Sequence, residues 1–368
     1  MAAPSGNLRF LIRWLGYGRM DLAPPGCNPS DGCAGAVRHW EVHIIRLVES
    51  VRDFRSSPGT AMTTAFITHS DCLLHNMGAY HPERPERLRA VEDQLTASGL
   101  MGHLQHEEAP LARNEHLERV HAPRYIAWLE KSIPKSGLTH LDPDTAMNPH
   151  TLKAALRAAG AAVQATDMVI EGKAANAFCN VRPPGHHAER SRAMGFCLFN
   201  NVAVAAAHAL EHHGLKRVAV VDFDVHHGNG TEDIFRDDPR VLMVSTFQHP
   251  FYPYSGIDGR SERMVNIPLA AYSSGREFRA AVEQYWMPAL EAFKPELLFV
   301  SAGFDAHRDD DMAMLKLVES NYAWVTRKIT DVADRYAGGR IVSALEGGYE
   351  LHALGRCVMT HLKVISGL

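Results

Sequence analysis

The sequence has few cysteines and no spacing that would pair them. The six cysteines of the 368-residue chain are Cys27, Cys33, Cys72, Cys179, Cys197 and Cys357. No two of them form a Cys-x-x-Cys pair, which argues against a zinc ribbon. Disulfide-stapled domains need a denser framework, so the sequence predicts a protein of a reducing compartment, the cytoplasm.

Long apolar runs and excess positive charge are also missing. No segment approaches the roughly 20 apolar residues that a membrane-spanning helix needs. The 38 Lys and Arg against 42 Asp and Glu give a net charge of -4, which favours neither nucleic acid nor an anionic membrane as a partner. The 46% of hydrophobic residues are ample for a large core. The length allows one large α/β domain or two smaller ones.

The first 61 residues differ in composition from the rest of the chain. They hold turn-rich runs with weak periodicity, so we expect residues 1–61 to be an N-terminal extension and residues 62–368 to be the folded domain. Two hypotheses for the extension stay open. Native translation starts at Met62, directly before an apolar strand, or the arginine-containing, acid-free residues 1–20 belong to an organellar targeting peptide.

Helical and strand patterns alternate from residue 150 to the end of the chain. This order predicts an α/β fold with a mostly parallel central sheet and helices on both faces. Ligands of such sheets bind beyond the carboxyl ends of the strands. The predicted strands lie at 178–181, 218–222, 241–245, 297–301 and 341–345, and the predicted helices at 201–213, 280–293 and 321–336.

One predicted strand, 218–222, ends in a run of acids and imidazoles. Asp224 and His226 are two residues apart, so on an extended backbone they would point the same way and reach one ion. Asp222 would lie on the same side as support. Buried carboxylates and imidazoles are costly unless a cation neutralises them. The sequence therefore predicts a metal site here.

Three further strand ends carry polar residues. Asp305 follows the strand at 297–301 and is a candidate third ligand, and Tyr349 follows the strand at 341–345. His186 and His187 follow a proline-rich turn and would act as a general base and its electrostatic partner, because histidine titrates near neutral pH. Each residue alone fits a helix cap or a turn. Together they favour a catalytic metal centre.

These motifs resemble those of the arginase-fold zinc deacetylases, which comprise histone deacetylases and their bacterial amidohydrolase and acetylpolyamine relatives. The resemblance runs from about Ile67 to the C-terminus and implies a single-domain arginase/deacetylase fold. Its Arg-Pro-Pro-Gly and Glu-Gly-Gly-Tyr details look like the class II branch. The motifs lie at 81–88, 182–188, 195–201, 222–230, 301–307 and 346–349.

The resemblance implies two kinds of metal ion. Asp224, His226 and Asp305 would hold one Zn²⁺, with iron as the alternative metal in the native cell. A structural K⁺ would be bound by the same loop, through Asp222, Asp224, His226 and Ser245.

The resemblance also implies catalytic roles. His187 would be the general base and acid, with His186 as its electrostatic partner. Tyr349 would donate a hydrogen bond to the oxyanion. Asp222 and Asn229 would orient His186 and His187 respectively.

Arginase-type dinuclear manganese chemistry is the nearest alternative within this fold. A second metal would want carboxylates two residues beyond His226 and two beyond Asp305. Those positions hold Gly228 and His307. The sequence therefore favours one zinc and amide hydrolysis over two metals and guanidine hydrolysis.

The expected substrate is an acetyl-lysine peptide or protein. Gly195, Phe196 and Tyr252 resemble the walls of the family's narrow substrate tunnel. Met312 stands where polyamine-selective relatives carry a glutamate, which favours acyl-lysine, while the aspartates at 309–311 keep an acetylated polyamine or another small acylated amine as the alternative. A catalytically inactive acyl-lysine binder is disfavoured, because every catalytic position holds a competent residue. A homo-oligomer stays open.

Overall fold

The computed structural model describes residues 63–257 and 261–368. The predicted N-terminal extension, residues 1–61, and the domain start at Met62 lie outside these residues. The division of the chain into an extension and a folded domain therefore stays a prediction.

An all-parallel sheet forms the centre of the described chain. The described strands are β1 (Thr64–Thr68), β2 (Gln105–Glu108), β3 (Thr139–His140), β4 (Ala146–Met147), β5 (Asn176–Cys179), β6 (Val218–Asp222), β7 (Val241–Gln248), β8 (Met264–Leu269), β9 (Leu297–Ala302) and β10 (Ile341–Leu345). Eight of them form one parallel sheet in the order β2-β1-β5-β10-β9-β6-β7-β8, and β3 and β4 form a small antiparallel pair. The predicted parallel sheet is confirmed.

Helices cover the sheet. The described α-helices are α1 (Glu86–Ala97), α2 (Asn114–Leu117), α3 (Pro123–Lys131), α4 (Thr151–Ile170), α5 (Asn201–Glu211), α6 (Asn229–Phe235), α7 (Gly275–Ala281), α8 (Met287–Phe293), α9 (Glu319–Val332) and α10 (Leu351–Ile365). Helices α1, α9 and α10 pack in one group, and α4 packs against α5. Every residue of β5, β6, β9 and β10 is buried, as expected for strands that are covered on both faces.

Two of the predicted strands differ from prediction by two or more residues, for local reasons. The strand predicted at 178–181 is observed at 176–179, because the chain then turns into the prolines at 183–184, which have no N–H to donate to a ladder. The strand predicted at 241–245 continues to Gln248, because its last residues pair with β8.

Four central strands bring the predicted polar clusters together. Strands β5, β10, β9 and β6 are consecutive in the sheet, so their carboxyl ends lie side by side at one edge. The loops that follow these strands contain the polar residues at 182–188, 346–349, 303–307 and 223–230. The fold therefore assembles one site from four distant parts of the sequence, as the ligand rule for parallel sheets predicts.

Helix α4 shows how closely the fold packs beneath the sheet. At Gly160 an added Cβ would lie 2.0 Å from the carbonyl oxygen of Pro110 and 2.8 Å from the amide nitrogen of Ala112. The same segment is tied to the helix, because the Ala112 N–H donates to the Leu156 carbonyl at 2.9 Å. A glycine is required at this crossing.

We predict that Gly160→Ala lowers the free energy of unfolding by about 1–3 kcal/mol, the usual cost of overpacking. Helix propensity alone would favour alanine by about 1 kcal/mol, so the expected sign opposes it. Gly102→Ala is the matched control, because no atom lies within 4 Å of its added Cβ. Urea unfolding of both variants tests this, and equal stability of the two would contradict the close packing at α4.

Candidate metal centre and active site

Asp224, His226 and Asp305 form a buried group of potential metal ligands. One ligand atom from each lies within 4.8 Å of the others. His226 Nδ1 is 2.9 Å from Asp224 Oδ1 and 3.2 Å from Asp305 Oδ2. The second oxygen, Asp305 Oδ2, is buried without a well-directed hydrogen bond. Two carboxylates and one imidazole with an unsatisfied oxygen match the donors that a catalytic zinc uses.

Turns bring these ligands together. Strand β6 ends at Asp222, so the expectation that an extended backbone aligns Asp224 and His226 is wrong. The Asp224 N–H donates to Asp222 Oδ1 at 3.1 Å, and the His226 N–H donates to Asp224 Oδ1 at 2.9 Å. Short acidic side chains fold the backbone in this way by accepting a bond two residues on. The carboxylates thus shape the loop that presents them.

Backbone amides hold the two carboxylates from outside this loop. The Gly347 N–H donates to Asp224 Oδ2 at 2.8 Å, and the Val225 N–H donates to Asp305 Oδ1 at 2.9 Å. An added Cβ at Gly347 or at Gly303 would lie 2.0 Å from a carboxylate oxygen of Asp305 or Asp224 respectively. The glycines after β9 and β10 therefore let the chain approach the ligands this closely.

The tandem histidines contact the partners that the resemblance assigns to them. His186 Nδ1 lies 3.0 Å from Asp222 Oδ2, and His187 Nδ1 lies 2.7 Å from Asn229 Oδ1. The acceptor oxygens fix the protons on both Nδ1 atoms. The Nε2 atoms are therefore the ones that remain for chemistry, and the two ring centres are 4.0 Å apart.

The pKa values of the two imidazoles are shifted in opposite directions from the usual value. Burial by itself lowers the pKa of His186, but the charges of Asp224 and Asp222 outweigh it and raise the pKa to about 10. Burial, together with the nearby His186 and His226, lowers the pKa of His187 well below its usual value. Adjacent groups whose pKa values are pushed apart are suited to opposite roles. At neutral pH His186 is charged and His187 is neutral.

Tyr349 lies at the start of the segment that leads into α10. Burial raises the pKa of its phenol well above the usual value, so the hydroxyl keeps its proton as a hydrogen-bond donor. The Phe196 ring meets the Tyr349 ring edge-on at 6.0 Å between centroids. The Tyr349 N–H donates to Asp310 Oδ2 at 2.6 Å, which fixes the backbone at this residue.

The predicted tunnel walls surround the histidines. Gly195 has a φ of +56°, and a Cβ there would lie 2.3 Å from Cδ2 of His187. The Tyr252 ring meets the His187 ring edge-on at 5.3 Å, and the Phe251 ring stacks on His226 at 5.5 Å. Two aromatic rings therefore pack against the imidazoles of His187 and His226.

A cavity of about 490 Å³ adjoins Tyr349. Met312, at the position singled out for substrate choice, lines the same cavity. Two of the adjacent aspartates already have partners. Asp310 accepts the N–H of Tyr349 and of Met312, and Asp309 lies 3.4 Å from the Arg356 guanidinium. Much of the acidic charge beside Met312 is therefore engaged within the protein.

Two of the predicted K⁺ ligands, Asp224 and His226, are also candidate zinc ligands, and the other two are neighbours in the sheet. Ser245 pairs with Asp222 in the β6–β7 ladder. Its hydroxyl is buried and has no hydrogen-bond partner among the described residues.

The positions that a second manganese would require offer no carboxylate. An added Cβ at Gly228 would lie 2.3 Å from Asp222 Oδ2, so no side chain fits there. His307 is buried with its ring nitrogens 3.6 Å from Asp309 and 3.5 Å from Glu319.

Comparison with known proteins identifies the family. Residues 81–365 match the family model described as the histone deacetylase domain. This chain belongs to the histone deacetylase family. It is 37% identical over 331 residues to a histone deacetylase-like amidohydrolase of Pseudomonas aeruginosa, a match that covers 83% of this chain and 86% of the relative.

Two further family members agree. The chain is 38% identical to the polyamine deacetylase HDAC10 of Homo sapiens over 83% of this chain and 48% of the relative. The crystal structure of the HDA15 HD domain superposes with a TM-score of 0.78 and 32% identity, covering 83% of this chain and 90% of that one.

Family membership confirms the predicted fold and reaction type. The parallel sheet flanked by helices is the α/β fold of the histone deacetylases, and the chain is a deacetylase, a hydrolase that acts on amides. The family is zinc-dependent, and the described chain offers the ligand group for a metal. No helix among residues 63–257 and 261–368 combines the length and apolarity of a membrane span. The cytoplasmic location stays a prediction.

A buried ion network behind this deacetylase site was missed by sequence reasoning. The Glu83 carboxylate accepts hydrogen bonds from Arg182 and from Arg87. His75 Nε2 lies 3.2 Å from Oε2 of the same carboxylate. Arg87 also donates to the Gly348 carbonyl at 2.6 Å and holds its guanidinium 4.9 Å from the Tyr349 ring centre. The motif at 81–88 therefore supports the loop that carries Tyr349.

Glu346 was also missed as a supporting residue. Its Oε2 accepts the N–H of Gly185 at 2.6 Å and that of His186 at 3.1 Å. Burial raises the pKa of Glu346 to about 7, against the opposing pull of the His186 charge. The only signal in the sequence was an acid directly after a buried strand, which is common in turns.

We predict that Glu83→Gln lowers the free energy of unfolding by about 3–5 kcal/mol, because it leaves two buried guanidinium groups without a counter-charge. Burial raises the pKa of Glu83, but Arg182, His75 and Arg87 overcome this and hold it well below the usual value. Glu86→Gln, at the exposed first residue of α1, is the control and should cost about 1 kcal/mol or less. Urea unfolding of both variants tests this prediction. A similar small loss in the free energy of unfolding in the two variants would contradict it.

Proposed function

We propose that this chain is a zinc-dependent deacetylase that removes acetyl groups from the side-chain amine of acetyl-lysine in peptides or proteins. The observation that carries the proposal is that Asp224, His226 and Asp305 converge with the histidine pair at one sheet edge. We place this activity in residues 62–368, since the family match at 81–365 lies within them.

The residues present fit a catalytic zinc ion. Asp224, His226 and Asp305 would hold it, and Asp305 Oδ2 would exchange a poorly directed contact for a metal bond. When bound, Zn²⁺ lowers the pKa of a water molecule from ~15.7 towards ~7 and polarises the amide carbonyl. Oxygen and imidazole donors also suit Fe²⁺, so metal analysis of protein from its native cell must decide between the two.

His187 would move the proton. Its Nδ1 donates to Asn229 Oδ1, so Nε2 carries the lone pair that accepts a proton from the attacking water. The lowered pKa keeps this nitrogen unprotonated at neutral pH. The same nitrogen would then return the proton to the departing amine.

His186 would act as an electrostatic partner. It carries a charge at neutral pH and is oriented by Asp222 at 3.0 Å. Its charge beside His187 disfavours early protonation of the base, and it also favours negative charge that develops on the substrate.

Tyr349 would stabilise the oxyanion. Its phenol stays protonated because burial raises its pKa. Its backbone N–H is held by Asp310, and its ring contacts the Arg87 guanidinium. A fixed donor directed at developing negative charge is worth about 10²–10³ in rate.

A structural K⁺ beside the zinc is part of the proposal. The buried Ser245 hydroxyl has no hydrogen-bond partner in the described chain and pairs with Asp222 in the sheet, and an orphaned oxygen beside a carboxylate suits a monovalent cation. Asp222, Asp224 and His226 would complete the ligands.

The cavity residues favour lysine over polyamine substrates. Met312 offers an apolar surface beside Tyr349, and Asp309 and Asp310 are engaged by Arg356 and by backbone N–H groups. The polyamine alternative rests on Asp311, which is exposed, and on the similarity to the polyamine deacetylase HDAC10. Another small acylated amine stays an alternative. An inactive binder is disfavoured, because His187 and Tyr349 are both present with their supporting contacts.

We predict that Tyr349→Phe loses about 10²–10³-fold in kcat while it retains bound zinc, because only the donor to the oxyanion is removed. Acetate release from an acetyl-lysine peptide and zinc content by atomic emission are the two measurements. Tyr336→Phe, a partly buried tyrosine outside the site, serves as the control. Unchanged turnover in Tyr349→Phe would remove this residue from the mechanism.

We predict that wild type prefers an acetyl-lysine peptide to N-acetylputrescine and that Met312→Glu shifts the ratio of kcat/KM towards putrescine by about tenfold. A hydrogen bond from the free ammonium to the new carboxylate, worth about 1.5 kcal/mol, is the reason. Met314→Glu, two residues on and outside the cavity lining, is the matched control. Wild-type preference for N-acetylputrescine would move the assignment to polyamines.

A further inference from the structure

A second group of potential metal ligands lies away from the catalytic site. One ring nitrogen from each of His208, His212 and His213 lies within 4.8 Å of the others. His208 is buried, His213 is partly buried and His212 is exposed. The three rings pack against one another with centroids 4.7 to 5.2 Å apart.

A carboxylate completes this group. Asp167 Oδ1 lies 2.7 Å from Nε2 of His208 and 2.7 Å from Nε2 of His213. Two imidazoles thus converge on one oxygen, with the third ring stacked beside them. Burial raises the pKa of Asp167, but the hydrogen bonds from His208 and His213 lower it to about 2, so it is a carboxylate at any working pH.

The helices place this cluster where a cation is favoured. Asp167 is in the last turn of α4 and His208 is in the last turn of α5, and these two helices pack together. The carbonyl groups at both helix ends add partial negative charge. Helix α5 starts at the carboxyl edge of the sheet and runs back towards the start of β6, so the cluster is roughly 16 Å, one helix length, from that edge.

We propose that His208, His212, His213 and Asp167 bind a second Zn²⁺ that joins α4 to α5. Three imidazoles and one carboxylate supply the four donors of a closed tetrahedral zinc site. Imidazole-rich donor sets select Zn²⁺ or its transition-metal neighbours over Ca²⁺ and Mg²⁺. The His208–His212 spacing puts both rings on one helix face. This site is independent of catalysis.

Arg119 sets the condition for metal binding. Its Nη1 donates to His208 Nδ1 at 2.9 Å, so without metal the proton of His208 sits on Nε2, facing Asp167. Zinc at Nε2 transfers the N–H to Nδ1, against the guanidinium. Arg119 is only partly buried, and zinc binding requires it to turn away from Nδ1. A hydrogen-bond acceptor in place of Arg119 would favour the His208 tautomer that is protonated at Nδ1 and free to bind zinc at Nε2. Metal-bound histidines commonly have such an acceptor at the second ring nitrogen.

The test is a zinc count on the full chain, stripped of metal and dialysed against a buffered concentration of free Zn²⁺. Wild type should bind two equivalents. Asp305→Ala removes the catalytic one, and the double variant His212→Gln/His213→Gln removes the other. His103→Gln, an exposed histidine elsewhere, is the control and keeps both.

Three readouts other than activity locate the second ion. In Asp305→Ala, zinc should raise the melting temperature, and this rise should disappear when His212→Gln and His213→Gln are added. X-ray absorption of the zinc left in Asp305→Ala should show three imidazole ligands, against one at the catalytic centre. Arg119→Gln should tighten zinc about tenfold at the second site.

Three outcomes of the zinc count would contradict these expectations. One equivalent in wild type that Asp305→Ala removes would overturn the proposal and leave the cluster as a hydrogen-bonded network around Asp167. Equal zinc content in wild type and in His212→Gln/His213→Gln would do the same. If Asp305→Ala binds as many zinc equivalents as wild type, the result would instead contradict the proposal of a catalytic zinc at Asp305.

Discussion

Buried negative charge at one edge of the sheet is the constraint on which this structure depends. Asp222, Asp224, Asp305 and Glu346 are all buried there, at the ends of neighbouring strands or in the loops that follow them. Removing a carboxylate from water costs several kcal/mol unless hydrogen bonds and positive charge compensate. The backbone N–H groups and the charged His186 compensate, and the proposed metal cation would add to them. Catalytic competence and stability of this region therefore have the same physical origin.

Close approach of the backbone is the second requirement, and it follows from the first. A carboxylate that cannot reach water must be met by N–H groups, and these come from loops that pass within contact distance. Gly303 and Gly347 make this possible, since a Cβ at either would overlap a ligand oxygen. Behind these loops, Glu83 neutralises Arg87 and Arg182. Arg87 donates to the Gly348 carbonyl in the Tyr349 loop, and Arg182 donates to the Cys72 carbonyl in the segment after β1. The site is thus supported in two layers, first by backbone amides and then by a buried ion network.

The parallel sheet could be predicted from the sequence, and so could the grouping of Asp224, His226 and Asp305 as potential metal ligands, because apolar runs ending in Asp and His are local patterns. It misled on how Asp224 and His226 meet, since the strand ends at Asp222 and turns replace the extended backbone. The Glu83 network could not be predicted from spacing, because Glu83 and Arg182 are 99 residues apart and meet only after the sheet forms. The carboxylate Asp167 reaches the distal histidines across 41 residues for the same reason.

The protonation of His226 shows that the catalytic site favours positive charge between Asp224 and Asp305. Burial lowers the pKa of this imidazole, yet Asp224 and Asp305 raise it to about 9, so without metal a proton lies between the carboxylates. Burial and the charge of Asp224 raise the pKa of Asp305 to about 6, which shows how strongly two adjacent carboxylates resist full ionisation. A divalent ion at the same place would be held by the His226 nitrogen and the two carboxylates, and it would displace the proton on His226. The proposed metal would therefore supply a positive charge at a place where the two carboxylates already hold a protonated imidazole.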